Sequence, residues 1–169
     1  MRRPAFALLL FAAALAGPPA GAADLHRLWE ERCARCHGDA GGFARDALSA
    51  ADERLQGRLQ GRLPERDLHA FLLRHQGGLP EAEAQGVYAM LLAQAQTPPL
   101  FQERCGLCHP KAADLVRDQL VLRDGVLVGR YTGRPVAAFL ETHGRIAADE
   151  RPFFMDLLTR LAREVDRAP

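Results

Sequence analysis

The chain has 169 residues, with 22 lysines and arginines against 21 aspartates and glutamates, a formal net charge of +1 and 48% hydrophobic residues. So even a balance excludes a nucleic-acid binder working through a basic surface, and a protein steered to its partner by strong net charge. The length allows one ordinary domain or two small ones.

Residues 1–23 read as an export signal. Met1-Arg2-Arg3 is a short basic region, residues 5–16 are an apolar run, Gly17-Pro18-Pro19 breaks the helix, and Ala20-Gly21-Ala22 supplies a small-x-small cleavage pattern. The apolar run is too short to span a bilayer comfortably. Cleavage after Ala22 or Ala23 is therefore expected. It removes Arg2 and Arg3, which takes the charge from +1 to −1. No later segment reads as a membrane span, so the expected product is soluble.

The predicted elements then follow in order. A helix over 24–32, capped by Asp24, leads into Cys33-Ala34-Arg35-Cys36-His37. A second helix is expected over 64–74, with Pro64 in its first turn and Leu68, Phe71 and Leu72 on one face. A third is expected over 81–96, with Val87, Tyr88, Leu91 and Leu92 at helical spacing. Thr97-Pro98-Pro99 reads as a linker. Phe101-Gln102-Glu103-Arg104 leads into Cys105-Gly106-Leu107-Cys108-His109. Residues 120–128 place Asp124-Gly125 between β-branched runs, the signature of a short hairpin. Helices over 135–142 and 148–165 complete the chain.

The two five-residue motifs carry the chemistry. Cys-x-x-Cys-His is the attachment signal for c-type haem. The thiols add across the porphyrin vinyl groups, and the adjacent histidine reaches one axial position of the iron. All four cysteines of the chain lie in the motifs, so none remains for a disulfide. A thioredoxin-like Cys-x-x-Cys is expected to follow a strand, and a paired-cysteine zinc site gives no reason for a histidine after the second cysteine in both copies. The expectation is two covalently bound haem c groups, held by Cys33, Cys36, Cys105 and Cys108, with His37 and His109 as proximal iron ligands. Such attachment takes place outside the bacterial cytoplasmic membrane, which agrees with an export signal and predicts a periplasmic protein.

The chain repeats itself. Trp29 to His37 aligns with Phe101 to His109, and Leu59-Gln60-Gly61-Arg62 aligns with Leu127-Val128-Gly129-Arg130. Eight residues after each arginine comes Phe-Leu-x-x-His, ending at His75 and His143. Tyr88 to Leu92 aligns with Phe154 to Leu158. Two units follow, 24–96 and 100–169, joined by 97–99. A unit of about 70 residues is small for an independent core, and a covalent haem offers the apolar centre that it lacks.

With these elements in place the chain resembles a class I c-type cytochrome in tandem dihaem form, and the resemblance covers almost all of residues 24–169. It implies an all-α fold of two small helical domains, each wrapped around one haem. It also implies that the terminal helices of each unit cross, with Trp29 against Tyr88 and Phe101 against Phe154.

The sixth ligand departs from the methionine usual in that family. Met90 and Met155 fall out of register and inside the last helices, where methionine serves as a core filler. His75 and His143 are in register, thirteen residues after the shared Gly-Arg, and both adjoin residues that let the backbone turn. They are the predicted distal iron ligands. His26 and His69 have no repeat partner and read as surface residues. Arg62 and Arg130 recur in register and are candidate partners for haem propionates.

Two strong axial ligands leave iron without an open position, which suits outer-sphere electron transfer. The sequence therefore predicts a dihaem electron carrier, or an electron-transfer subunit of an oxidoreductase, that meets redox partner proteins of unnamed identity. The competing class is a haem enzyme in which one distal ligand is labile and the iron acts on peroxide, a sulfur compound or a gas. A haem-based sensor is a third, for which no output domain is visible.

Overall fold

The computed structural model describes residues 24–48, 58–59 and 66–165. The predicted export signal and Arg62 lie outside the described residues.

The chain is mainly helical. Helix α1 (Leu25–Arg32) starts where expected, because the Asp24 carboxylate accepts from the backbone N–H groups of His26 and Arg27. The first motif forms a single helical turn, α2 (Ala34–His37). Then comes α3 (Ala40–Ala47), capped by Asp39, whose side chain accepts from Gly41 and Gly42 N–H. Helix α4 (Leu68–Leu72) leads through a 3-10 turn (His75–Gly77) to α5 (Glu81–Ala95).

The second unit follows the same order. Helix α6 (Leu100–Cys105) enters the second motif, and α7 (Ala112–Gln119) follows it. After the strands come α8 (Val136–Leu140) and α9 (Arg151–Val165). Like α3, α7 begins three residues after its motif histidine. Neither helix was predicted: two glycines weaken the helical signal of α3, and the repeat register was the signal that could have revealed both.

Two small antiparallel ladders modify the expected all-α architecture. Strands β1 (Arg58–Leu59) and β2 (Arg66–Asp67) pair Leu59 with Arg66. They delay the second helix, which begins at Leu68 and ends at Leu72 rather than covering 64–74. Strands β3 (Leu120–Arg123) and β4 (Val126–Gly129) form the predicted hairpin, with Leu122 opposite Leu127. Its turn residues Asp124 and Gly125 have φ of +51° and +79°, the left-handed pair that a two-residue hairpin loop demands.

Each unit has its own buried cluster. In the first, Leu25 and Trp29 of α1 meet Ala44 of α3, Leu68 of α4, and Val87, Met90 and Leu91 of α5. In the second, Phe101, Val116, Leu127 and Leu140 surround Phe154, Leu158 and Leu161 of α9. Burying a leucine or valine of this kind stabilises the fold by about 1.5–3 kcal/mol. Met90 is fully buried and Met155 packs against the second cluster, as core fillers should.

Helix α1 also packs on α9 and so joins the units. There His26 Nε2 and Glu164 Oε2 are hydrogen-bonded at 2.7 Å, with both residues buried. This corrects the reading of His26 as a surface residue: it faces the other unit, and a repeat comparison within one unit cannot see that. Nearby, Arg117 Nε donates to Asp24 Oδ2 at 2.7 Å and Lys111 Nζ to Glu30 Oε1 at 3.2 Å. Arg160 reaches Thr97 Oγ1 at 3.0 Å.

Two paired-histidine sites

Both Cys-x-x-Cys-His motifs fold as one helical turn. His37 N–H donates to Cys33 O at 3.0 Å, and His109 N–H to Cys105 O at 2.8 Å. The turn follows directly from α1 in the first unit and from α6 in the second, so a helix and not a strand precedes each motif. In each copy the first cysteine is half-buried and the second exposed. Burial pushes the Cys33 and Cys105 thiols up, Arg32 opposing it weakly at Cys33.

The predicted distal histidines arrive opposite the proximal ones. His37 and His75 have ring centres 5.9 Å apart, and His109 and His143 have ring centres 6.2 Å apart. Two imidazoles bound in trans to one metal at about 2.0–2.1 Å, each bonding nitrogen about 1.1 Å from its ring centre, place those centres about 6.3 Å apart. Both pairs have the separation that a shared axial metal requires. Among the described residues no group of three or more His, Cys, Asp and Glu side chains could hold a metal ion.

Each distal histidine lies three residues beyond a short helix and is followed by left-handed backbone. After His75 come Gln76, Gly77 and Gly78 with φ of +51°, +87° and +75°. After His143 come Gly144 and Arg145 at +75° and +53°. These left-handed residues let the chain turn sharply immediately beyond the imidazole. A phenylalanine four residues earlier lies against each ring. Phe71 and His75 stack with centres 4.4 Å apart and planes at 22°, and Phe139 and His143 stack at 4.4 Å and 26°. The stack is a contact that the sequence reading missed, although the repeated Phe-x-x-x-His spacing carries it.

The proximal side of the first site is aromatic. Phe43 meets the His37 ring edge-on at 5.0 Å, and Trp29 lies 6.1 Å from it. Trp29 Nε1 donates to Gly38 O at 2.9 Å, which ties α1 to the residue after His37. The anticipated Trp29–Tyr88 pair is replaced: Trp29 packs on Phe43 at 5.2 Å, and Tyr88 meets His69 edge-on at 5.9 Å. Leu25 and Gly86 occupy the α1–α5 crossing, where a Cβ on Gly86 would lie 2.7 Å from Leu25 Cδ2. Phe101 and Phe154 both enter the second core. His69 is partly buried, with Nε2 3.1 Å from Glu81 Oε1 but off the line of a hydrogen bond.

The arginine before each motif reaches an acid near the start of the unit's last helix. Arg104 donates twice to Glu150 Oε1, at 2.6 and 3.0 Å, and Ala147 N–H donates to Glu150 Oε2. These bonds, Arg104 first, hold the Glu150 carboxyl below its ordinary value. In the first unit Arg32 donates to Gly78 O at 3.0 Å and lies 3.7 Å from Glu83. The Glu-Arg shared by the two motif leaders thus links the motif helix to the turn beyond it.

The second pair opens into a cavity of about 1050 Å³. Its wall includes Cys105, Cys108, His109, His143, Phe139 and Leu158. The volume is at the upper end of the usual range for small-molecule and cofactor sites. Two thiols at the rim, two facing imidazoles and an apolar wall fit a covalently held haem. Arg130 does not belong to that wall. Its Nη2 donates to Leu120 O at 2.8 Å, while its Nε is buried without a hydrogen-bond partner among the described residues. The arginines on the cavity wall are Arg104, Arg134 and Arg145. The hairpin holds the Arg130 guanidinium at its own backbone, which a Leu-x-Gly-Arg match cannot anticipate.

The chain matches no protein-family model, and no curated protein or solved structure matches it. Among the described residues no helix is long and apolar enough to cross a membrane.

Proposed function

We propose that this chain is an exported dihaem c-type cytochrome of the periplasm that transfers electrons between redox partner proteins. The observation that carries this reading is the pairing of each motif histidine with its predicted distal partner, at 5.9 and 6.2 Å between ring centres. Haem supplies reversible one-electron chemistry when bound. Cys33 and Cys36, and Cys105 and Cys108, attach it. His37 with His75, and His109 with His143, would ligate its iron.

The residues around each site act as fixed supports. The proximal histidine is part of a hydrogen-bonded turn, and the Trp29 indole braces that turn in the first unit. Closed axial positions favour a carrier, because a centre that changes charge without changing ligands needs little rearrangement on either side of the transfer. The pairs joining α1 to α9 and α7, and α9 to the linker, support a fixed spacing of the two sites, as a relay needs.

Optical spectra of the purified protein, oxidised and reduced, with and without carbon monoxide, test the proposal. Two haems per chain are expected, with a reduced spectrum unmoved by carbon monoxide and no iron–thioether band in the far red. Rapid carbon monoxide binding at one haem would overturn the carrier reading in favour of an enzyme with an open distal position.

A further inference from the structure

We propose that Phe71 and Phe139 are positioning residues that fix the planes of the distal imidazoles and keep them on the iron; this rests on the ligation proposed above. His75 and His143 are both exposed. Each stands three residues beyond a helix of only five residues and is followed by left-handed backbone. The main chain delivers such a side chain to the right region but leaves its two side-chain torsions free. A ring stacked on the imidazole removes that freedom. The stack occurs in both units with the same 4.4 Å separation and nearly the same tilt.

Core packing does not explain Phe139. It lies outside the buried cluster of its unit. One of its neighbours is the Arg134 guanidinium, 5.5 Å from the ring centre, and another is His143. The ring also lines the cavity that His143 faces. Phe139 is therefore placed where it can act on the imidazole plane and on access to the axial position. The i, i+4 spacing makes this a local device, built into α4 and α8 and independent of the rest of each unit.

The test uses the full haem-loaded protein with Phe139→Leu, Phe139→Tyr and His143→Ala. Two readouts are followed: the rate of carbon monoxide uptake by the reduced protein, and the low-spin electron paramagnetic resonance of the oxidised protein. Phe139→Leu is expected to speed uptake at one of the two haems by between about twofold and tenfold, the equivalent of one aromatic pair. It should also shift that haem's resonance. Phe139→Tyr keeps the stack and should behave as the native chain. His143→Ala should open the same haem fully.

If Phe139→Leu matches the native chain in both readouts while His143→Ala opens the haem, the positioning role is overturned and the ligation stands. Equal acceleration by leucine and tyrosine also overturns it, since the stack is then not the cause. If His143→Ala leaves the low-spin spectrum intact, the ligation itself fails, and this role with it.

Discussion

His26 Nε2 meets Glu164 Oε2 at 2.7 Å, joining the first helix of the chain to the last across 138 positions of sequence. Both residues are buried, at 7% and 8% exposure, and Arg160 lies 3.4 Å from the other carboxylate oxygen. Cutting His26 back to alanine leaves a buried carboxylate short of its partner. That loss should cost about 1.5–3 kcal/mol, as for hydrogen bonds to charged groups. For a chain of this size it corresponds to a fall in Tm of roughly 3–12 °C, measurable by calorimetry. An unchanged Tm would mean that this pair adds nothing to the junction beyond its other contacts. Glu164→Gln keeps a hydrogen-bonding group in place and should lose less.

The acid stability of the same junction turns on Asp24. Burial alone would raise its carboxyl, but the Arg117 hydrogen bond, the Arg27 amide, and the charges of Arg117 and His26 together hold it below its ordinary value. A carboxyl lowered in the folded state stabilises the fold above its unfolded pKa of about 3.9, and that contribution disappears as pH falls through the folded value. Asp24→Asn keeps the helix cap, since asparagine caps about as well as aspartate, but removes the titrating charge. Denaturant midpoints of the two proteins should differ most near neutral pH and converge below about pH 4. Glu150 titrates in the same direction in both, so it cancels in the difference.

The turn beyond His75 depends on Gly78 more than on its neighbour. Gly78 has φ +75° and ψ 163°, and a Cβ there would lie 2.3 Å from Leu73 O. Gly77 also has positive φ, but a Cβ on it meets nothing within 4 Å. Gly78→Ala should therefore destabilise by about 1–3 kcal/mol or more, in a backbone region almost reserved for glycine. Gly77→Ala carries only the milder strain of a left-handed residue. Carbon monoxide uptake at the first haem should rise in the Gly78 variant and stay near native in the Gly77 variant. The reverse order would show that the turn does not position His75.

How much of this could be read from the chain depended on the range of the interaction. The Asp24 cap, α5 and the Asp124-Gly125 hairpin are set by neighbours in sequence and stand where the pattern put them, while α9 begins at Arg151 rather than at 148. The pairing of His75 with His37 and of His143 with His109 was legible because the repeat states it twice. The indole of Trp29 was assigned a partner by analogy and found another, since Phe43 lies on a helix hidden behind two glycines. His26 was misread because its partner, Glu164, comes from outside the aligned blocks, in α9. Long-range polar partners leave no periodic trace.

The potentials of the two proposed haems would follow from the proposed ligands. Imidazole stabilises ferric iron better than thioether does, and methionine ligation raises the potential. Midpoints around or below about zero millivolts are expected for both haems, within the wide range that axial ligands set. His143→Met offers a thioether to the same position. It should raise one midpoint and leave the other at its native value, because His75 keeps its own imidazole opposite His37. Potentiometric titration followed optically reads both midpoints in one experiment. A native protein with both midpoints well above about +200 mV would argue against histidine on the distal side. Two midpoints moving together would show instead that the haems are strongly coupled through the junction that His26 and Glu164 hold closed.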